Sequence, residues 1–212
     1  MMWAECFAGV EPNLGIGGRD PGRRWMRSQL SDGSKETPQA MEEMTKKEME
    51  AILLAHEKGE LEEDLDATMA TLVDNPHYEL PTLGFAFDGY DAVREAYSRI
   101  MPGTRSRNVA AKMRVHAIAA NTLVREAHVS FTTSAGERVT GNYIVVMSFD
   151  PEQRLISGER MYMDTNFAAM MAENLGPDFA SVPGVTKLSD VAPMIDRHDA
   201  YEVAERHGIT IN

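Results

Sequence analysis

Residues 121–164 read NTLVREAHVSFTTSAGERVTGNYIVVMSFDPEQRLISGERMYMD. They hold three runs of β-type sequence, 122–133, 137–149 and 154–163, parted only by Ala135-Gly136 and Asp150-Pro151; a fourth run, 109–119, precedes them across a break at Asn121. Strands joined by links this short form an antiparallel meander. In the second run, alternation puts Glu126 and His128 on one face and Arg125, Ala127, Val129 and Phe131 on the other. A carboxylate beside an imidazole is chemistry if it lines a pocket and a solvated pair if it does not.

Helical spacing dominates upstream. In MTKKEMEAILLAHEKG, Thr45 and Glu48 have capping-box spacing, and Met49, Ile52, Leu53 and His56 recur on one side before Gly59. LEEDLDATMATLV places Leu65, Met69, Leu72 and Val73 on one side of a second helix, stopped by Asp74, Asn75 and Pro76. HYELP is a short extended segment, followed by a loop, 81–88. YDAVREAYSRIM repeats Val93, Ala96, Tyr97 and Ile100 as a third helix, ended by Pro102 and Gly103. After the meander, FAAMMAENLG is a short helix capped at Gly176, and an appended helix starts near Ser189.

The chain thus divides into a Gly-, Pro- and Ser-rich tail over residues 1–40, expected to be disordered, a domain over 41–176, and a linker with one helix over 177–212. Gly15, Gly17 and Gly18 have no strand before them and no suitable helix after them, so no phosphate loop is assigned. Helices ahead of a meander predict an α+β fold: a cone-shaped curved antiparallel sheet wrapped around helices and enclosing an apolar pocket. A net charge of -12 and a pI near 4.9 argue against nucleic acid or an anionic membrane as partner. No run approaches a bilayer span and the N-terminus lacks signal-peptide order, which predicts a cytoplasmic protein. One cysteine, Cys6, excludes an internal disulfide and a cysteine zinc cluster.

TLVDNPHYELP, FDGYDAVREAY and YIVVMSFDPEQRLISGERMYMDTNFAAMM are similar to the SnoaL-like branch of the nuclear transport factor 2-like superfamily, over about residues 44 to 176. Its members include polyketide cyclases, ketosteroid isomerase, limonene epoxide hydrolase and scytalone dehydratase. Where ketosteroid isomerase has its aspartate base before a proline, this chain has Leu80 before Pro81. Matched to the Arg-x-Asp pair of limonene epoxide hydrolase, the second meander strand offers Glu126 and His128; the last-strand aspartate falls at Met161, and Tyr78 matches a tyrosine that helps hold the water. Neither reaction transfers, but the resemblance implies an orientation. Glu126 and His128 point inward, with Tyr143, Tyr78, Glu159 and Met161 around the same space and Met113 or His116 added according to register.

His128, oriented by Glu126, is then a candidate general acid or base, against a structural pair or a solvated face. Tyr143 and Tyr78 are candidate hydrogen-bond donors to an oxyanion, against satisfied core tyrosines. Asp164 is a candidate site residue where SnoaL-like sequences often carry an aspartate, against a helix N-cap. Leu80, Glu159, Met161, His116 and Met113 complete the expected ligand-binding wall. His77 and Glu79 share a strand face, but spacing fixes no third ligand, so no metal is assigned, and no cofactor is expected. His56, His198 and His207 are expected to face solvent. Two functions stay open. One is cofactor-independent acid-base catalysis on a small polyketide-, terpenoid- or steroid-like molecule; the other is a ligand-binding or dimerisation module without chemistry. A homodimer through the outer sheet face, covering Ala127, Val129, Phe131, Ile144 and Val146, is expected, with the helix after residue 188 as the alternative cover for that surface.

Overall fold

Thr45 opens the first helix as its capping residue. Its hydroxyl accepts from Glu48 N while the Glu48 carboxylate accepts from Thr45 N at 2.8 Å, which starts helix α1 at Lys46–Glu62. The computed structural model describes residues 43–188 and 198–211; the expected tail, Cys6 and its glycines, and the start near Ser189 of the appended helix lie outside these. Helix α2 is Leu65–Met69, capped by Asp64. Strand β1 (Leu72–Leu80), strand β2 (Phe85–Asp88) and helix α3 (Tyr90–Ile100) follow. The meander is β3 (Ala110–Ala119), β4 (Thr122–Thr132), β5 (Arg138–Asp150) and β6 (Leu155–Met163), and α4 (Thr165–Leu175), β7 (Val185–Lys187) and α5 (Asp199–His207) complete the order.

Three sequence expectations change. The second helix stops at Met69, because Leu72 and Val73 belong to β1; Pro76 is accommodated where the β1–β6 register shifts, a place that does not need its missing N–H. The 81–88 loop is a 3₁₀ turn, Pro81–Leu83, plus β2, and Thr82 Oγ1 accepts from Met163 N at 2.9 Å to tie that turn to β6. The sheet is mixed rather than antiparallel, in the order β3-β4-β5-β6-β1-β2-β7. The chain crosses through α3 to the far edge and meanders back, so β6 arrives beside β1 in the same direction and the two pair in parallel.

The result is an α+β fold with helices on one face of a curved sheet. Met49 and Leu53 of α1, Val93, Ala96 and Tyr97 of α3, and Phe167, Met170 and Met171 of α4 pack with Leu123, Val129, Phe131, Met147 and Ile156 of the sheet in one core. Two glycines permit this closeness. A Cβ on Gly158 would stand 2.1 Å from His77 O of β1, and one on Gly141 would stand 2.6 Å from Asp164 Oδ1 at the start of α4. Among the described residues no helix is long and apolar enough to cross a membrane.

Candidate functional site

The burial of β4 alternates, and it does so one residue out of phase with the sequence expectation. Leu123, Arg125, Ala127, Val129 and Phe131 are buried. Glu126 lies on the outer face, 2.6 Å from Arg114 Nη1, and His128 is exposed there between Lys112 and Asn142. Neither lines the interior. The apolar members of the run fix the phase, since the face carrying Leu123, Val129 and Phe131 releases the most apolar surface from water, and a one-residue slip would expose all of it. This phase removes Ala127, Val129 and Phe131 from the outer face, leaving Ile144 and Val146 of the expected set there.

Arg125 is balanced from α1. Its Nη1 donates to the Glu57 carboxylate, with Arg125 5% exposed. Desolvation raises the Glu57 carboxyl above the usual carboxylate range, with Arg125 pulling the other way. One and three residues from Glu57 along the helix are His56 and Glu60. His56, expected in solvent, is 2% exposed. Thr71 Oγ1 donates to Thr68 O at 2.6 Å, so its oxygen accepts the His56 Nδ1–H at 2.7 Å and the tautomer is fixed. His56 Nε2 then lies 2.9 Å from Tyr97 Oη and 3.5 Å from Glu60 Oε1. Burial opposes an imidazolium, but the carboxylates of Glu60, Glu159 and Glu57 outweigh it and raise the His56 pKa. When His56 is neutral, Nε2 accepts from the Tyr97 hydroxyl. When it is protonated, Nε2–H donates to that oxygen and Tyr97 O–H turns to Tyr78 Oη, 3.4 Å away.

Of these groups, Glu60, Tyr97 and Tyr78 face a cavity of about 40 Å³, together with Glu159 and apolar side chains that include Leu80 and Met161. Tyr78 and Tyr97 are 4% exposed, and burial pushes both phenols up, so they stay protonated donors. Glu159 accepts no hydrogen bond from the described residues; desolvation first, then Glu60, pushes its carboxyl up to about 7. One carboxyl that keeps its proton near neutrality, a second carboxyl and two phenols around one space can take a proton from one atom and give one to another.

The other residues named from sequence are more dispersed. Tyr143 is on the inner face of β5, tilted against Phe167 at 5.6 Å between ring centroids, with its phenol raised by burial. His116 is on the inner face of β3, opposite Arg125. Met113 holds an inner-face register position opposite Ala127, across the irregularity in β3, but is 43% exposed. Asp164 caps α4, accepting from Phe167 N at 3.0 Å. His77 is on the outer face of β1, with Nδ1 2.6 Å from Asp88 and Nε2 2.9 Å from Glu79, and Arg160 also holds Glu79. Sequence reading missed His56, Glu57 and Arg125 as interior groups, and Glu60 and Tyr97 as groups facing the cavity.

No family model matches the chain, and no curated protein does. Solved structures do. PrhC from Penicillium brasilianum NBRC 6234 is 12% identical with a TM-score of 0.50, over 66% of this chain and 98% of that one. The epoxide hydrolase/cyclase-like enzyme SalBIII, of pyran ring formation in the polyether salinomycin, is 19% identical over 57% and 92%, at a TM-score of 0.47. A protein of unknown function from Cytophaga hutchinsonii ATCC 33406, described as NTF2-like, is 15% identical over 55% and 99%, at 0.45. At these identities the likeness is one of fold alone.

Proposed function

We propose that the chain is a cofactor-independent acid-base enzyme acting on a small, mostly apolar carbonyl compound of the polyketide or terpenoid kind, by isomerisation, cyclisation, dehydration or hydrolysis. One observation carries this reading: a carboxyl raised to about 7 faces a cavity that it shares with a second carboxyl and two buried phenols. Glu60 takes the proton next to the carbonyl, Glu159 gives one, and Tyr97 or Tyr78 donates to the developing oxyanion. His56 does not line the cavity; it positions Tyr97. Two copies pair through the outer sheet face, where Val115, Ile144 and Tyr162 are 43–51% exposed in one cross-strand row with Glu126.

Proton abstraction can be read without knowing the product. Small ketones are incubated with the protein in deuterated buffer at pH 7, and loss of their α-proton signals is followed by NMR. Exchange above the buffer rate is expected, falling by about 10² or more in E159Q and E60Q. The second reading is a dimerisation module of the same fold, favoured by a cavity well under the 300 Å³ or so that drug-sized ligands occupy. No exchange with any ketone, alike in wild type and E159Q, would establish that reading instead.

A further inference from the structure

Two polar atoms of the inner sheet face find no hydrogen-bond partner among the described residues and are closed off from solvent by them: Arg125 Nε and His116 Nδ1. They are cross-strand partners on β4 and β3, so their Cβ atoms are about 5 Å apart. Buried polar atoms are hydrogen-bonded as a rule, and a guanidinium N–H is among the more demanding of them. The ion pair with Glu57 uses Nη1 and leaves the Nε edge unspent.

The chemistry of the missing partner follows from the two atoms and their surroundings. Arg125 Nε–H can only donate. His116 Nε2 is 3.9 Å from Glu50 Oε1, and the carboxylate favours the tautomer with its N–H on that side, leaving a lone pair on Nδ1. Burial, then Arg125, lowers the His116 pKa, which keeps the ring neutral. One donor and one acceptor side by side suit a hydroxyl, whose oxygen accepts from Arg125 and whose proton goes to His116. A carboxylate suits them less, because Glu57, Glu60 and Glu159 already stand in this interior against Arg125 and His56.

Arg125 shares a cross-strand row with Val145 and Met161, and Met161 lines the cavity of Glu159 and the tyrosines. Two strand spacings, about 10 Å, separate the two centres at the sheet. We infer that Arg125 and His116 form a hydroxyl-binding subsite and that the substrate is a neutral hydroxyketone, its carbonyl at Tyr97 and Glu159 and its hydroxyl at Arg125. This rests on the proposed acid-base reading of the cavity.

The test uses the full chain, labelled with ¹⁵N-arginine and ¹³C-glutamate, with the Arg125 Nε–H resonance assigned through R125K. The probes are 4-hydroxycyclohexanone, 4-methylcyclohexanone and cyclohexanone. The hydroxyketone is expected to move the Arg125 Nε–H signal and to bind about tenfold or more tighter than its methyl counterpart. That preference should vanish in H116L, which keeps the guanidinium and serves as the second variant if R125K does not fold. Equal binding of the hydroxy and methyl ketones, or no binding by any, would overturn the subsite. If all three move the Glu159 carboxyl signal and none moves Arg125, the subsite falls while the acid-base reading stands; if the hydroxyketone moves Arg125 and no probe undergoes α-exchange, the reverse holds.

Discussion

Glu159 is a carboxyl whose folded state favours the proton. A native pKa near 7 against 4.5 means that the folded protein holds its proton after the unfolded chain has released it. Glu159 therefore erodes stability as pH rises from about 4.5, and the loss is complete above about 7, where it amounts to about 3 kcal/mol. Urea unfolding at pH 5 and pH 8 checks this. E159Q should gain on wild type between the two pH values by up to that amount, and an unchanged difference would show that the carboxyl is solvated. Part of this was legible in the sequence, since Glu159, Tyr78, Leu80 and Met161 were placed around one space by resemblance. His56 had its own signal: it continues the helical row Met49, Ile52, Leu53, and a polar residue in an apolar row is a buried polar residue. Glu57 gave no such signal, because only the position of Arg125 across the core makes an interior carboxylate at that place affordable.

At the scale of elements, the meander and the helix order were legible from periodicity and turn residues, while β7, β2 and the parallel pairing were not. Those depend on where the chain returns, which local pattern does not encode. The phase of β4 was encoded, in Leu123, Val129 and Phe131, yet the polar pair on the other face drew the reading outward in. The parallel β1–β6 pairing makes a sharp demand at Gly158, where any Cβ would meet the His77 carbonyl. G158A should lose at least about 3 kcal/mol or fail to fold. Gly136, at φ +85 with open space around its Cα, is the control: G136A should cost only about 1 kcal/mol, from backbone conformation alone. Equal unfolding midpoints for the two variants would contradict the closeness of β1 and β6.

The whole molecule presents an outer sheet face unlike the rest of an acidic chain. Val115, Ile144 and Tyr162 lie in a row, Val124 and Val146 in the next, and Arg114, Arg160 and Lys112 stand around them. If two copies pair there, the protein sediments as a dimer at micromolar concentration, and I144E, with a carboxylate beside its own copy, gives a monomer with an unchanged unfolding midpoint of the separated subunit. A wild-type monomer would count against that face. The cavity makes a different demand on the molecule. Two of its walls, Tyr78 with Leu80 and Glu159 with Met161, come from β1 and β6, neighbours in the sheet that the ribosome delivers with all of β3, β4 and β5 between them. A nascent chain halted before residue 155 has β1 emerged but its inner edge unclaimed, a template open to any passing strand. The protein acquires its site only once β6 has followed β3, β4 and β5 out of the ribosome, and chaperone dependence should concentrate in the interval before that.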